Sequence, residues 1–336
     1  MPIRWVTIAL LLGIAIGANA DTRKPRGHAD RIAKPRPVTF DADAIRTPDQ
    51  GVLSKGEKGS TVVRAQILLA RAHFSCGEID GSFGTNLQKT VSAFQDDRHL
   101  PVSGAIDEAT WAALNADTAP VLIDYNISPE DETGPFASIP RTMALQAKLS
   151  ALGYTSALEE LSERFHVAPK LLQALNPAAD FNRAGQTIVV PNVLIMPAGL
   201  AASVTVSKGE SSVRAYDATG KLLAFYMATT GSEHDPLPIG NWQIKGVQRN
   251  PSFHYNPALF WDAKSGDEKA VIKPGPNNPV GPVWIDLSKE HYGIHGTPEP
   301  SLIAHTQSHG CIRLTNWDAL DLASMIKPGL PAVFKE

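Results

Sequence analysis

Cysteine is almost missing from this chain: two residues in 336, at Cys76 and Cys311. Two thiols cannot staple a disulfide-built scaffold or supply a four-cysteine zinc site. An excess of charge is missing too. Thirty-one basic and 34 acidic side chains leave a net of -3, which argues against a duplex-DNA binder with its clustered basic face. No nucleotide fingerprint, P-loop or carboxylate-pair motif is present. The apolar run over residues 5–18 is shorter than the about 20 residues a spanning helix needs. Hydrophobic residues still make up 43% of the chain, enough for buried cores and too many for wholesale disorder. At roughly 100–200 residues per domain, the length predicts two or three domains.

The N-terminus reads as targeting. Arg4 is a short positive region, residues 5–18 are apolar, and Ala18-Asn19-Ala20 is a small-x-small cleavage site. Cleavage after Ala20 is expected, making 1–20 a signal peptide; an uncleaved anchor is the alternative. Export places the chain in an oxidising compartment. Cys76 and Cys311 nevertheless fall in segments that read as separate domains, and Cys76 reads as a small buried residue.

Residues 21–52 form a basic, Pro-rich linker without helical or strand periodicity. Residues 53–117 show two helical runs, the turn Asp80-Gly81-Ser82-Phe83-Gly84, and a third helix capped by Asp107. The D-G-x-F-G turn, Ala93-Phe94-Gln95 and Gly104…Thr110-Trp111…Leu114 resemble the three-helix peptidoglycan-binding family. Phe83, Phe94 and Trp111 are read as core, so no binding residue is assigned there. Residues 118–140 read as a second linker. Residues 141–193 carry two helices, a turn at Asn176-Pro177 and a short strand. That order resembles a LysM glycan-binding module, although the family's opening strand and Gly-Asp-Thr turn are not visible. A glycan-binding role and a spacer role both stay open. Residues 200–336 show many short strands with Gly/Pro punctuation and one helix near residues 317–326, predicting a β-rich sandwich or barrel. The fold class expected is multidomain α+β.

The chemistry concentrates in Ile294-His295-Gly296-Thr297 and Ser308-His309-Gly310-Cys311-Ile312-Arg313-Leu314. A thiolate is a nucleophile and an adjacent imidazole can take the thiol proton. Glycine beside the nucleophile lets backbone N–H groups face a developing oxyanion. Arg313 favours the thiolate and could pair with a substrate carboxylate. A zinc site of Cys311 with two of His291, His295, His305 and His309 would match no usual ligand spacing, so no metal and no cofactor is expected. Spacing alone leaves both His295 and His309 as possible bases.

The S-H-G-C-I-R core resembles the L,D-transpeptidase (YkuD-type) catalytic domain. Thr230-Gly231, Pro238-Ile239-Gly240 and the loop from Gly275 to Gly281 extend that resemblance over about 130 residues. Leu237 stands where family members often have Thr. The resemblance implies Cys311 as nucleophile and His295 as general acid/base, oriented by the Gly296 carbonyl. His309, Gly310 and Cys311 would supply oxyanion N–H groups, and Arg313 would orient substrate. The implied substrate is a peptidoglycan tetrapeptide stem, cleaved with loss of D-Ala. The acyl group would pass to a second stem in a 3→3 cross-link or to an envelope protein. A periplasmic, wall-associated location follows. The alternatives are a hydrolase on the same scaffold and a non-catalytic wall-binding protein. Peptidoglycan glycan and stem peptides are the expected partners, and nucleic acid is not.

Overall fold

The computed structural model describes residues 40–48, 51–193, 196 and 198–336. The signal peptide expected at 1–20 and most of the linker expected at 21–52 lie outside the described residues.

The first segment packs helices α1 (Ala42–Arg46), α2 (Ser60–Arg71), α3 (Thr85–Asp97) and α4 (Glu108–Leu114) around strand β1 (Phe74–Ser75). Its apolar residues recur at helical spacing, and the faces they form meet inside: Phe83, Phe94 and Trp111 are all buried. Asp107 caps α4 by accepting the Thr110 N–H. The linker expectation fails at its C-terminal end. Ile45 in α1 is fully buried, and the Arg64 guanidinium donates to the Ile45 and Arg46 carbonyls. A single buried residue in a five-residue helix leaves no period to read.

The second segment holds β2 (Leu122–Asn126), α5 (Pro129–Thr133), α6 (Met143–Gln146), α7 (Ala157–Arg164), α8 (Pro169–Leu175) and β3 (Thr187–Pro191). Strands β2 and β3 pair antiparallel, from Leu122 opposite Pro191 to Asn126 opposite Thr187. Residues 118–140, read above as a linker, therefore carry a strand and a helix. The signal was weak because Leu-Ile-Asp-Tyr-Asn shows little alternation, and its partner lies beyond both longer helices.

The third segment contributes β4 (Ser203–Ser207), β5 (Ser212–Tyr216), β6 (Leu222–Met227), β7 (Thr229–Thr230), β8 (Gly240–Arg249), β9 (Phe253–Tyr255), β10 (Ala270–Ile272), β11 (Val283–Leu287), β12 (Gly293–His295) and β13 (Ile312–Arg313). Helix α9 (Asn316–Met325) and β14 (Pro331–Lys335) complete it. Ten strands join in one sheet, in the order β1-β6-β5-β4-β14-β8-β11-β12-β13-β7. Long β8 pairs with β14 through its first residues and with β11 through the rest, so it couples the two halves. The sheet does not stop at the segment boundary. Strand β1 of the first segment adds to its edge, parallel to β6, with Phe74 opposite Phe225.

The three segments pack as one unit. A single hydrophobic core includes Trp111, Leu161, Leu172, Phe225, Met227 and Ile303, drawn from all three. A second lies under the sheet around Val206, Ile285, Ile294, Leu322 and Phe334. Both cysteines are free. Cys76 is buried, as its isolation suggested.

Candidate active site

Strands β12 and β13 run parallel and adjacent, with Ile294 opposite Ile312 and His295 opposite Arg313. Side chains alternate along a strand. Cys311, two residues before Arg313, therefore shares a sheet face with Arg313 and His295. His295 and Cys311, 16 positions apart in sequence, are thus assembled by two short strands. The His295 carbonyl accepts the Leu314 N–H at 2.8 Å, which fixes the register.

His295 is buried, with its Nδ1 2.6 Å from the Gly296 carbonyl. A carbonyl can only accept, so Nδ1 carries the hydrogen and Nε2 keeps its lone pair in the neutral ring. Trp284, opposite His295 on β11, stacks on the imidazole at 5.4 Å and 18°. Its indole crosses Gly293, where a Cβ would fall 2.5 Å from the ring. Burial, assisted by the Arg313 charge, pushes the His295 pKa down to about 3, against the Gly296 bond.

The Cys311 thiol keeps some exposure and lies 3.7 Å from the His291 carbonyl. Desolvation raises its pKa, and nearby Asp235 adds to this; the Gly293 backbone and Arg313 pull it down. Burial thus favours the uncharged form of both the thiol and the imidazole. The Ser308 hydroxyl donates to the Cys311 carbonyl at 2.6 Å, closing the turn that presents the thiol. Gly310 has φ +93°, and a Cβ there would meet the Tyr292 ring at 2.6 Å. Only glycine fits that backbone and that contact. Neither the His309 nor the Gly310 N–H finds an acceptor among the described residues.

His309 is placed differently from His295. Its Nε2 lies 2.8 Å from Asp262 Oδ1, and its ring packs on Phe260 and Trp261. Those residues belong to the excursion between β9 and β10. Arg313 is half-buried, and its guanidinium makes no ion pair or hydrogen bond among the described residues. Desolvation lowers its pKa, against its titratable neighbours Cys311, Glu299 and Asp262. His291 and His305 are exposed, and no group of three metal-ligating side chains occurs among the described residues.

Sequence reasoning missed Trp284, Tyr292, Asp262 and Asn316. Trp284 lies in a readable strand, Val-Trp-Ile, but nothing local links it to His295. Asn316 follows the Arg-Leu-Thr of the motif, and its role depends on two glycines elsewhere in the chain.

Residues 201–334 match the family described as "L,D-transpeptidase catalytic domain", and residues 58–114 match "Putative peptidoglycan binding domain". The chain is 31% identical over 174 residues to "Putative L,D-transpeptidase YkuD" of Bacillus licheniformis, covering 51% of this chain and 89% of that protein. It is 25% identical to "Probable L,D-transpeptidase YbiS" of Escherichia coli K12, covering 54% of this chain and 61% of that one. Among solved structures, an L,D-transpeptidase of Xylanimonas cellulosilytica superposes with a TM-score of 0.36 at 15% identity, over 86% of this chain and 99% of that chain.

Proposed function

Because this chain belongs to the L,D-transpeptidase family, we propose that it resolves tetrapeptide stems of peptidoglycan through a Cys311 thioester. Residues 58–114 match a peptidoglycan-binding domain, and peptidoglycan is accordingly the substrate and the cell wall the setting. The observation that carries the residue roles is the His295 ring. Its Nδ1 is tied to the Gly296 carbonyl, and its Nε2 is left with a lone pair on the sheet face that Cys311 shares.

In the first half-reaction, Nε2 takes the Cys311 thiol proton as sulfur attacks the carbonyl of the third stem residue. The tetrahedral oxyanion is held by the His309, Gly310 and Cys311 N–H groups, which Gly310 turns toward it. Collapse breaks the bond to D-Ala, and the proton on Nε2 passes to the departing amine. A thioester remains. In the second half-reaction an acceptor amine gives its proton to Nε2 and attacks the thioester carbon; the Cys311 sulfur leaves and takes that proton. A side-chain amine of another stem yields a 3→3 cross-link, a lysine of an envelope protein yields an anchored protein, and water yields a trimmed stem. Water is at about 55 M, so a transferase must favour its acceptor by position. Arg313, lacking a carboxylate partner, orients a substrate carboxylate. Export through residues 1–20 into the periplasm completes the reading.

Mass analysis of purified tetrapeptide muropeptides incubated with the full chain tests this. Dimers lacking one D-Ala, absent with Cys311→Ala, are expected. Trimmed monomers in place of dimers would identify a hydrolase. Turnover that survives Cys311→Ala would overturn the nucleophile assignment.

A further inference from the structure

The structural context of Gly296 extends the site into the second segment. Gly296 holds His295 Nδ1 through its carbonyl, while its own N–H makes only a long 3.4 Å bond to Val283. The peptide is held mainly by packing. A Cβ on Gly296 would fall 2.3 Å from Asn316 Oδ1, and a Cβ on Gly281 would fall 2.2 Å from the same atom and 2.9 Å from Gly296 Cα. The Asn316 amide oxygen is thus wedged where two side-chain-free peptides meet. It is buried and has no hydrogen-bond partner. An unpaired buried acceptor is unfavourable, so it stays only if the other end of the amide is anchored. That end is anchored twice: Nδ2 donates to Glu163 Oε2 at 2.9 Å and to the Pro276 carbonyl at 3.1 Å. Two acceptors leave the amide no reason to flip.

Glu163 belongs to α7, outside the segment that carries Cys311 and His295. Its other oxygen accepts the Tyr154 hydroxyl at 3.0 Å. The same segment grips the loop behind the site. Leu152 exchanges backbone hydrogen bonds with Pro274 and Asn277, and the Asn277 side chain donates to Gly153 and Glu159. That loop ends at Gly281, against Gly296.

We propose that Glu163 is a positioning residue for the reaction: through Asn316 it holds the Gly296 peptide, and so the His295 ring, in the orientation that leaves Nε2 free. This rests on the His295 assignment proposed above. Burial, with Glu159 nearby, shifts the carboxyl up to about 7 against the Asn316 and Tyr154 hydrogen bonds. Glutamine at this position can keep an acceptor toward Asn316 and a polar contact with Tyr154, and is therefore the conservative variant.

The experiment uses the full chain and two readouts: D-Ala release from tetrapeptide muropeptides, and the pH profile of Cys311 alkylation by iodoacetamide, followed by peptide mass mapping. Glu163→Ala and Asn316→Ala should lower kcat for D-Ala release about ten-fold with little change in KM. They should also move the alkylation profile toward that of His295→Ala, and Glu163→Gln should restore both. A wild-type profile and kcat in folded Glu163→Ala would overturn the proposal. So would a loss of kcat with an unmoved profile, the mark of a mere inter-segment staple. If Glu163→Ala does not fold, Asn316→Ala decides by the same criteria. If His295→Ala itself leaves both readouts unchanged, the His295 assignment fails instead.

Discussion

At the residue scale, the informative pair is His295 and Cys311. Burial and Arg313 hold the imidazole pKa down to about 3, while desolvation raises the thiol. A solvent-exposed histidine would protonate near 6.5 and stop accepting protons below it. This one stays neutral through mildly acidic solution. The acylation rate should therefore hold as pH falls from 7 to 5, which a pH profile of kcat/KM for D-Ala release will check. A midpoint near 6.5 would contradict a buried, neutral His295. The glycines around the site matter for packing as well as conformation. Gly293 makes room for Trp284, Gly296 for Asn316 and Gly310 for Tyr292. The motif read as a string of catalytic letters is also a set of close approaches.

At the element scale, α9 is the joint of the molecule. Thr315 caps it by accepting the Asp318 N–H. Along one turn, Asn316 reaches Glu163 of the second segment, Trp317 stacks on His166 of that segment at 4.9 Å, and Asp318 accepts the Ser75 hydroxyl of the first. Asp321 then accepts from Tyr226 and pairs with His73. Burial, with Asp321 nearby, raises the Asp318 pKa to about 7, against the hydrogen bonds from Thr315 and Ser75. The sign of the consequence is fixed by linkage. Between about 4, the ordinary carboxyl value, and 7 the unfolded chain has lost the proton that the folded chain keeps, so stability falls as pH rises through that window. Asp318→Asn removes the titration while keeping an acceptor for Ser75. Its Tm relative to wild type should climb between pH 4 and 7 and level off above. A difference in Tm independent of pH would disprove a folded-state shift at Asp318. His166 has the opposite sign: burial lowers it to about 3, so its contribution is lost as pH falls below about 6.5.

At the scale of the whole molecule, the segments expected to hang on linkers are built into one another. Strand β1 extends the catalytic sheet, Phe74 stacks on Phe225, and Asn86 of α3 donates to the Ile303 carbonyl in the loop between His295 and Cys311. The segment that matches the putative peptidoglycan-binding family thus braces the loop between His295 and Cys311. A fragment of residues 200–336 would expose the β6 edge together with Phe225, Met227 and Ile303. Unpaired apolar edges template aggregation. The fragment should be insoluble or aggregate on concentration, measured by light scattering against the full chain, while a fragment that stays monomeric with full activity would show the packing to be dispensable.

What the amino-acid string determined by itself was local. Cys311, Gly310 beside it and Arg313 lie close together in the chain, so Ser-His-Gly-Cys-Ile-Arg is legible as a motif without a fold. The first segment's core was legible as well, because helical periodicity places Phe94 and Trp111 inward. Tertiary structure decided the remainder. Strand β2 was hidden because its pairing partner lies far along the chain, and α1 because one buried isoleucine makes no pattern. The line from Tyr154 through Glu163 and Asn316 to Gly296 joins four places that only packing brings together. The tautomer of His295 depends on the direction of one carbonyl, which is a property of the folded backbone. Chemistry carried by adjacent residues is written in their order, whereas orientation is set by groups that meet only when the chain has closed around them.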